Sequence, residues 1–166
     1  MTFTSILEDF NSRLWSFHIT VPEAVGKMFV EGSDRRVVCT LNGAESFQCA
    51  LMPKGDGNYF ININKKLRDK LRLKLGMQVE VSLKKDDSPY GLPMPEEFQE
   101  LLQLDEEGNR LFHALTPGKQ RNLLYIIGSA KSSDKRIARS LAIVDHLKAQ
   151  GGKIDFKQLQ QDLKAN

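Results

Sequence analysis

Cysteine is nearly missing from this chain: Cys39 and Cys49 are the only two, both inside β-patterned runs, with no CxxC pair and no histidine at ligand spacing. That pattern makes buried free thiols the expectation over a disulfide or a metal site. Long hydrophobic runs are missing as well. The longest, LLYIIGSA, falls far short of the roughly 20 residues needed to cross a bilayer. The opening MTFTSILEDFNSRLW has neither the basic stretch nor the unbroken apolar stretch of a secretory signal, and Glu8 and Asp9 interrupt it. A soluble, cytoplasmic protein without membrane insertion is the expectation.

No sign of charge dominates. Twenty-four Lys and Arg against 21 Asp and Glu leave a formal +3, too balanced to announce a nucleic-acid or membrane partner by itself. Enzyme signatures are lacking: there is no GxSxG, no HExxH, no GxxxxGK and no GxGxxG. No catalytic residue, cofactor or metal ligand is therefore assigned. Histidine offers little more. His18 falls on the polar face of an alternating run, and His113 and His146 lie in amphipathic helical stretches, where surface or boundary positions are expected. The acids Glu96, Glu97, Glu100, Asp105, Glu106 and Glu107 cluster without a basic residue between them, the usual pattern of a solvated helix face.

What is present is a change of period along the chain. Trp15, Phe17, Ile19 and Val21 alternate with polar residues up to Pro22, as a half-buried strand does, and 22–31 has helical spacing at Val25, Met28 and Phe29. RRVVCTL and ESFQCALM flank Asn42-Gly43 as the arms of a tight hairpin, and Gly55-Asp56-Gly57 turns the chain into YFINI. Leu67, Leu71 and Leu75 put an apolar stripe on a helix that Gly76 stops, before VEVSL alternates again. These elements predict a compact barrel over 12–86 whose core includes Trp15, Phe17, Ile19, Val38, Phe47, Leu51, Phe60 and Val81.

Between 86 and 93 the pattern becomes helical, giving two modules, 1–88 and 89–166, of an α+β chain. Pro95, Glu96 and Glu97 suit a helix start ahead of Phe98, Leu101 and Leu102. Leu111, Phe112 and Leu115 form another stripe, Thr116-Pro117 opens a helix to 130, Ser133 opens one with Ile137, Leu141 and Val144 on its buried side, and Asp155 caps a last one.

Charge patterning supplies the candidate sites. Lys65, Lys66, Arg68, Lys70, Arg72 and Lys74 are offset only by Asp69, a possible basic strip. Lys131, Lys135, Arg136 and Arg139 are offset only by Asp134 and lie away from the apolar stripe. Lys131, Arg136 and Arg139 are taken as an anion-binding or partner-binding face, because the planar fork of arginine engages two oxygens at once.

Laid end to end, W-x-F-x-I-x-V-P at 15–22, RRVVCTLNG at 35–43, LMPKGDGNYFININKKLRDKL and GMQVEVSL, then LPMPEEFQELL, FHALTPGKQR and AKSSDKRIAR, resemble the bacterial YdeI/OmpD-associated family preceded by a small barrel domain of unknown function. NKKLRDKLRLKLGMQVEVSL is also similar to the barrel of AbrB-type transcription factors, with Arg72 where glycine is usual and Met77 where an acid is usual. The resemblance implies a small double-split β-barrel with short helices followed by an all-helical module, and a link to bacteriocin or antimicrobial-peptide tolerance. It carries over no catalytic residue. A non-enzymatic binding or regulatory module with an anionic ligand or a protein partner is the favoured reading. The alternatives are an enzyme of unrecognised type acting on an anionic small molecule in a cleft between barrel and helices, and sequence-independent nucleic-acid binding.

Overall fold

The computed structural model describes residues 1–12 and 16–165, so the expectation for Trp15 lies outside the described residues. The chain divides into two units, Met1–Asp87 and Ser88–Asn166.

In the first unit, β1 (Thr2–Asp9), β2 (Phe17–Val21), β3 (Arg36–Leu41), β4 (Glu45–Ala50), β5 (Met52–Pro53), β6 (Tyr59–Asn62) and β7 (Gln78–Lys85) form one curled antiparallel sheet, a half-barrel. Its order is β4-β3-β7-β1-β2-β6-β5. Alternation puts Leu7, Ile19, Val21, Val37, Cys39, Leu41, Ile61, Val79, Val81 and Leu83 on the concave face, where they pack as one cluster with Leu51, Ile63 and Leu73. The strand β1 lies between β7 and β2, so the half-barrel begins at Thr2 rather than at residue 12. Its inward row is Phe3, Ser5 and Leu7, with exposed Ile6 outside. A serine facing in and an isoleucine facing out erase the alternation that would have marked it.

The hairpin register differs from the expectation by one residue. Val37, Cys39 and Leu41 point inward and Val38 is only half-buried, because Asn42 and Gly43 both adopt positive φ, 51° and 62°, and fix the pairing Cys39↔Phe47. Asn42 also locks the turn onto β7: its N–H donates to Glu80 O at 2.9 Å, and its Oδ1 accepts from Glu80 N–H at 2.9 Å. Two adjacent valines cannot tell a strand which of them faces in. The turn and its neighbour strand decide.

Three further expectations are corrected here. The helix expected over 22–31 is the single turn α1 (Glu23–Gly26), which leaves Met28 exposed. The helix α2 (Lys65–Leu71) ends where Arg72 turns left-handed at φ 54°, so Leu75 departs from the Leu67/Leu71 stripe and is exposed. His18 does lie on the opposite face from Ile19, yet it is buried. Phe10 covers that face, stacking on the imidazole with centroids 3.6 Å apart, and Phe60 meets both rings edge-on. Cys39 is buried and Cys49 half-buried, both as free thiols.

The second unit consists of α3 (Glu96–Leu104), α4 (Glu106–His113), α5 (Pro117–Gly128), α6 (Ser133–Ala149) and α7 (Phe156–Lys164). The helix α6 contacts the other four, and Phe98, Phe112, Leu123, Leu124, Ile127, Ile143, Val144, Leu147 and Leu159 fill the core. Phe98 and Phe112 meet edge to face at 5.0 Å. Side-chain N-caps are Asp105, Ser132 and Asp155, each accepting from the N–H three residues on. Thr116 occupies the N-cap position before Pro117 without a side-chain bond.

The buried row of α6 is Ser140, Ile143, Val144 and Leu147, whereas Ile137 and Leu141, expected inside, are each 45% exposed. His146, expected at the surface or at a boundary, is buried. Asp155 N–H donates to its Nε2 at 3.2 Å, so Nδ1 carries the proton and donates to Asp162 Oδ2 at 2.8 Å, tying α7 to α6.

The register makes a direct expectation: Val37→Ala costs about 2 kcal/mol in chemical denaturation and Val38→Ala less than about 1 kcal/mol, and equal costs would contradict it. The α6–α7 tie predicts acid sensitivity. Asp162 is held below the ordinary carboxylate value, first by the Gln158 amide and then by His146. A depressed folded value means that the stabilisation is complete above about pH 4 and is lost as the pH falls through the folded value. Asp162→Asn is therefore expected to flatten the fall in melting temperature below about pH 4.

Candidate functional site

A cleft of about 480 Å³ opens in the second unit between the segment Leu92–Glu97 and the C-terminal half of α5. Pro93 and Pro95 explain the segment. Their locked φ and missing N–H groups keep the chain extended ahead of α3, with Pro95 at φ −60°, ψ 133°. The opposite wall is Leu124, Tyr125, Gly128 and Ser129, with Arg136 of α6 completing the lining. Tyr125 is 67% exposed. Gly128 keeps the cleft open: a Cβ there would find only Pro95 Cγ, 4.0 Å away.

Arg136 is anchored twice. Its Nε donates to Glu97 Oε1 at 2.8 Å and its Nη1 to Ala130 O at 3.1 Å. Glu97 is held below the ordinary carboxylate value by its own N–H at the helix start first and by Arg136 second. Arg139 donates from Nη1 to Ile126 O at 2.6 Å and to Ser129 Oγ at 3.0 Å. These arginines reach back from α6 to carbonyls at the end of α5, acceptors that no helix N–H can serve. Both are half-buried on the flank toward the core, not on the outer face, because α6 turns Ile137 and Leu141 outward instead. Lys131, in the α5–α6 connection, is exposed.

The strip at 65–74 is broken up. Lys65 pairs with Asp69 at 3.0 Å and Lys70 with Glu45 at 2.8 Å. Arg68 turns inward, donating to Ile63 O at 2.7 Å and lying 3.9 Å from the Phe17 ring centre. Lys66, Arg72 and Lys74 make no ion pair among the described residues. The three histidines are far from one another in role: His18 stacks on Phe10, His146 joins α6 to α7, and His113 Nδ1 donates to Asn109 O at 2.9 Å while its Nε2 accepts from Tyr90 Oη at 2.7 Å. Among the described residues, no group of three His, Cys, Asp or Glu is placed to hold a metal ion, and no helix is long and apolar enough to cross a membrane.

The sequence pointed to Arg136 but not to its apolar surroundings. Their signal was the alternating proline pair in LPMPEE and an aromatic, Tyr125, out of phase with the buried Leu124 and Ile127.

Comparison with known proteins agrees with this two-part architecture. No curated protein and no solved structure matches the chain. Two family models do match, one for a domain of unknown function, DUF1905, over residues 3–83, and one described as bacteriocin-protection, YdeI or OmpD-associated, over residues 92–150. The half-barrel is thus a DUF1905 domain and the helical unit a member of the YdeI/OmpD-associated family.

Proposed function

We propose that the helical unit is a ligand-binding module without a catalytic step, taking an amphipathic small molecule whose apolar body fills the cleft and whose carboxylate or phosphate meets Arg136. The observation that carries this reading is the cleft's composition. Leu92, Pro93, Met94, Pro95, Leu124 and Tyr125 supply an apolar wall, and Arg136 is the one cation among the lining residues. Its Nε and Nη1 bonds hold the guanidinium in place, while Nη2 has no protein partner among the described residues. A donor fixed in advance costs little ordering on binding. Glu97 offsets part of the positive charge, so the apolar body supplies most of the affinity, at about 0.8 kcal/mol per buried methylene. Arg139 supports the site through Ser129, and exposed Lys131 adds charge nearby in sequence.

The family description names bacteriocin protection. In that setting we read this chain as a cytoplasmic binding or regulatory component of tolerance rather than as an enzyme. Nucleic-acid binding through 65–74 has less support, since Lys65, Arg68 and Lys70 are engaged within the protein.

Calorimetric titration with octanoate, octanol and octylammonium tests the reading. Octanoate is expected to bind about ten-fold more tightly than octanol, the worth of one charge-assisted hydrogen bond. Gly128→Leu fills the cleft and is expected to abolish binding without lowering the melting temperature, because leucine is the better helix former. Binding of octylammonium as tight as that of octanoate, or unchanged binding by Gly128→Leu, would sink the proposal.

A further inference from the structure

The outward turn of Ile137 and Leu141 creates a second surface, separate from the cleft in its floor and its chemistry. Between α3 and α6 runs a groove of about 370 Å³ lined by Glu96, Glu97, Glu100, Leu101, Leu104, Ser133 and Ile137. Leu104 is 87% exposed, and Leu141, one turn beyond Ile137 on α6, continues the apolar row. Past Leu104 and Leu141, Lys148 meets Asp105 at 2.6 Å and ties α6 to the start of α4.

Acids predominate around this row, with the Lys148 cation at its far end drawn to Asp105. Asp134, Ile137, Leu141 and Asp145 follow one another at spacings of three and four, so they share a face of α6, with an acid at each end of the apolar pair. Glu96 and Glu100 stand across from them on α3. All four acids are exposed, and among the described residues none of them makes an ion pair. Glu97 is spent on Arg136, and Asp105 on Lys148. Exposed leucine and isoleucine side chains in one groove mark a surface shaped for a partner, and the surrounding carboxylates select its charge.

We infer that the α3–α6 groove docks a cationic amphipathic helix of another protein, its apolar residues at i, i+4 and i+7 lying along Leu101, Leu104, Ile137 and Leu141 and its lysines or arginines meeting Glu96, Glu100, Asp134 and Asp145. A membrane of anionic headgroups would be repelled by the same acids, and a second copy of this chain would bring the same carboxylates to its own interface.

The test uses the full chain and a synthetic leucine–lysine peptide with leucines at i, i+4 and i+7, compared with its leucine–glutamate counterpart. The lysine peptide is expected to bind, and to weaken as salt rises, while the glutamate peptide does not. Ile137→Ser with Leu141→Ser is expected to lower affinity at least about ten-fold with the melting temperature held, both side chains being at the surface. Glu100→Lys with Asp145→Lys is expected to do the same through charge alone. Gly128→Leu, which closes the cleft, leaves the peptide's binding unchanged, so failure of the cleft and failure of the groove are told apart. Equal binding of both peptides, no loss in either double variant, loss in Gly128→Leu, or a dimer that Ile137→Ser with Leu141→Ser dissolves would overturn the inference.

Discussion

Main-chain polar groups at the ends of strands and helices must find partners once those ends are packed, and this chain spends much of its polar side-chain inventory on that requirement. Asn42 serves the main chain of Glu80, Asn64 caps α2, and Asp105, Ser132 and Asp155 cap helices of the second unit. Arg136 and Arg139 serve the opposite need at the end of α5, and Arg68 does so after β6. His146 takes the N–H of Asp155. What is left over for binding is consequently small in number and easy to locate.

The order and type of most elements were legible in the sequence because each depends on local chemistry. Asn42-Gly43, the alternation of VEVSL, the proline and acids before Phe98, and Asp155 before α7 each state their structure within a few residues. What could not be read depends on tertiary neighbours. Val37 and Val38 are chemically identical, and only the turn's attachment to β7 sets which faces in. The polar face of β2 became interior because Phe10 returns over His18. On α6 the sequence holds two adjoining apolar rows, Ile137 with Leu141 and Ile143 with Val144 and Leu147, and spacing alone does not say which the other helices cover. The candidate site was legible in the same uneven way. Arg136 stood out as charge, while the apolar cleft beside it needed the fold to bring residues 92–97 against α5.

The two surfaces of the helical unit meet at the first turn of α3. Glu96 and Glu97 line both, the cleft on one side and the groove on the other. Their chemistry diverges from there: the cleft leads to a guanidinium, and the groove to the carboxylates of Glu100, Asp134 and Asp145, none of which makes an ion pair among the described residues. A short ridge of two glutamates thus separates a place suited to an anionic head from one suited to a cationic flank, and Arg136, by holding Glu97, determines how much negative charge each side sees.

The acceptors of Arg136 and Arg139 at Ala130 and Ile126 are carbonyl oxygens of the backbone. Any residue at 126 or 130 offers the same oxygen, whereas no common side chain other than arginine reaches that far with so many donors. Selection for a stable α5–α6 corner therefore falls on the donors and leaves the acceptors free to drift. Across descendants of this sequence, an invariant arginine pair beside variable partners would look like a binding signature even where it does nothing but hold a corner. Telling those meanings apart requires geometry, since variation among relatives weighs an arginine that grips a ligand and one that grips a carbonyl alike.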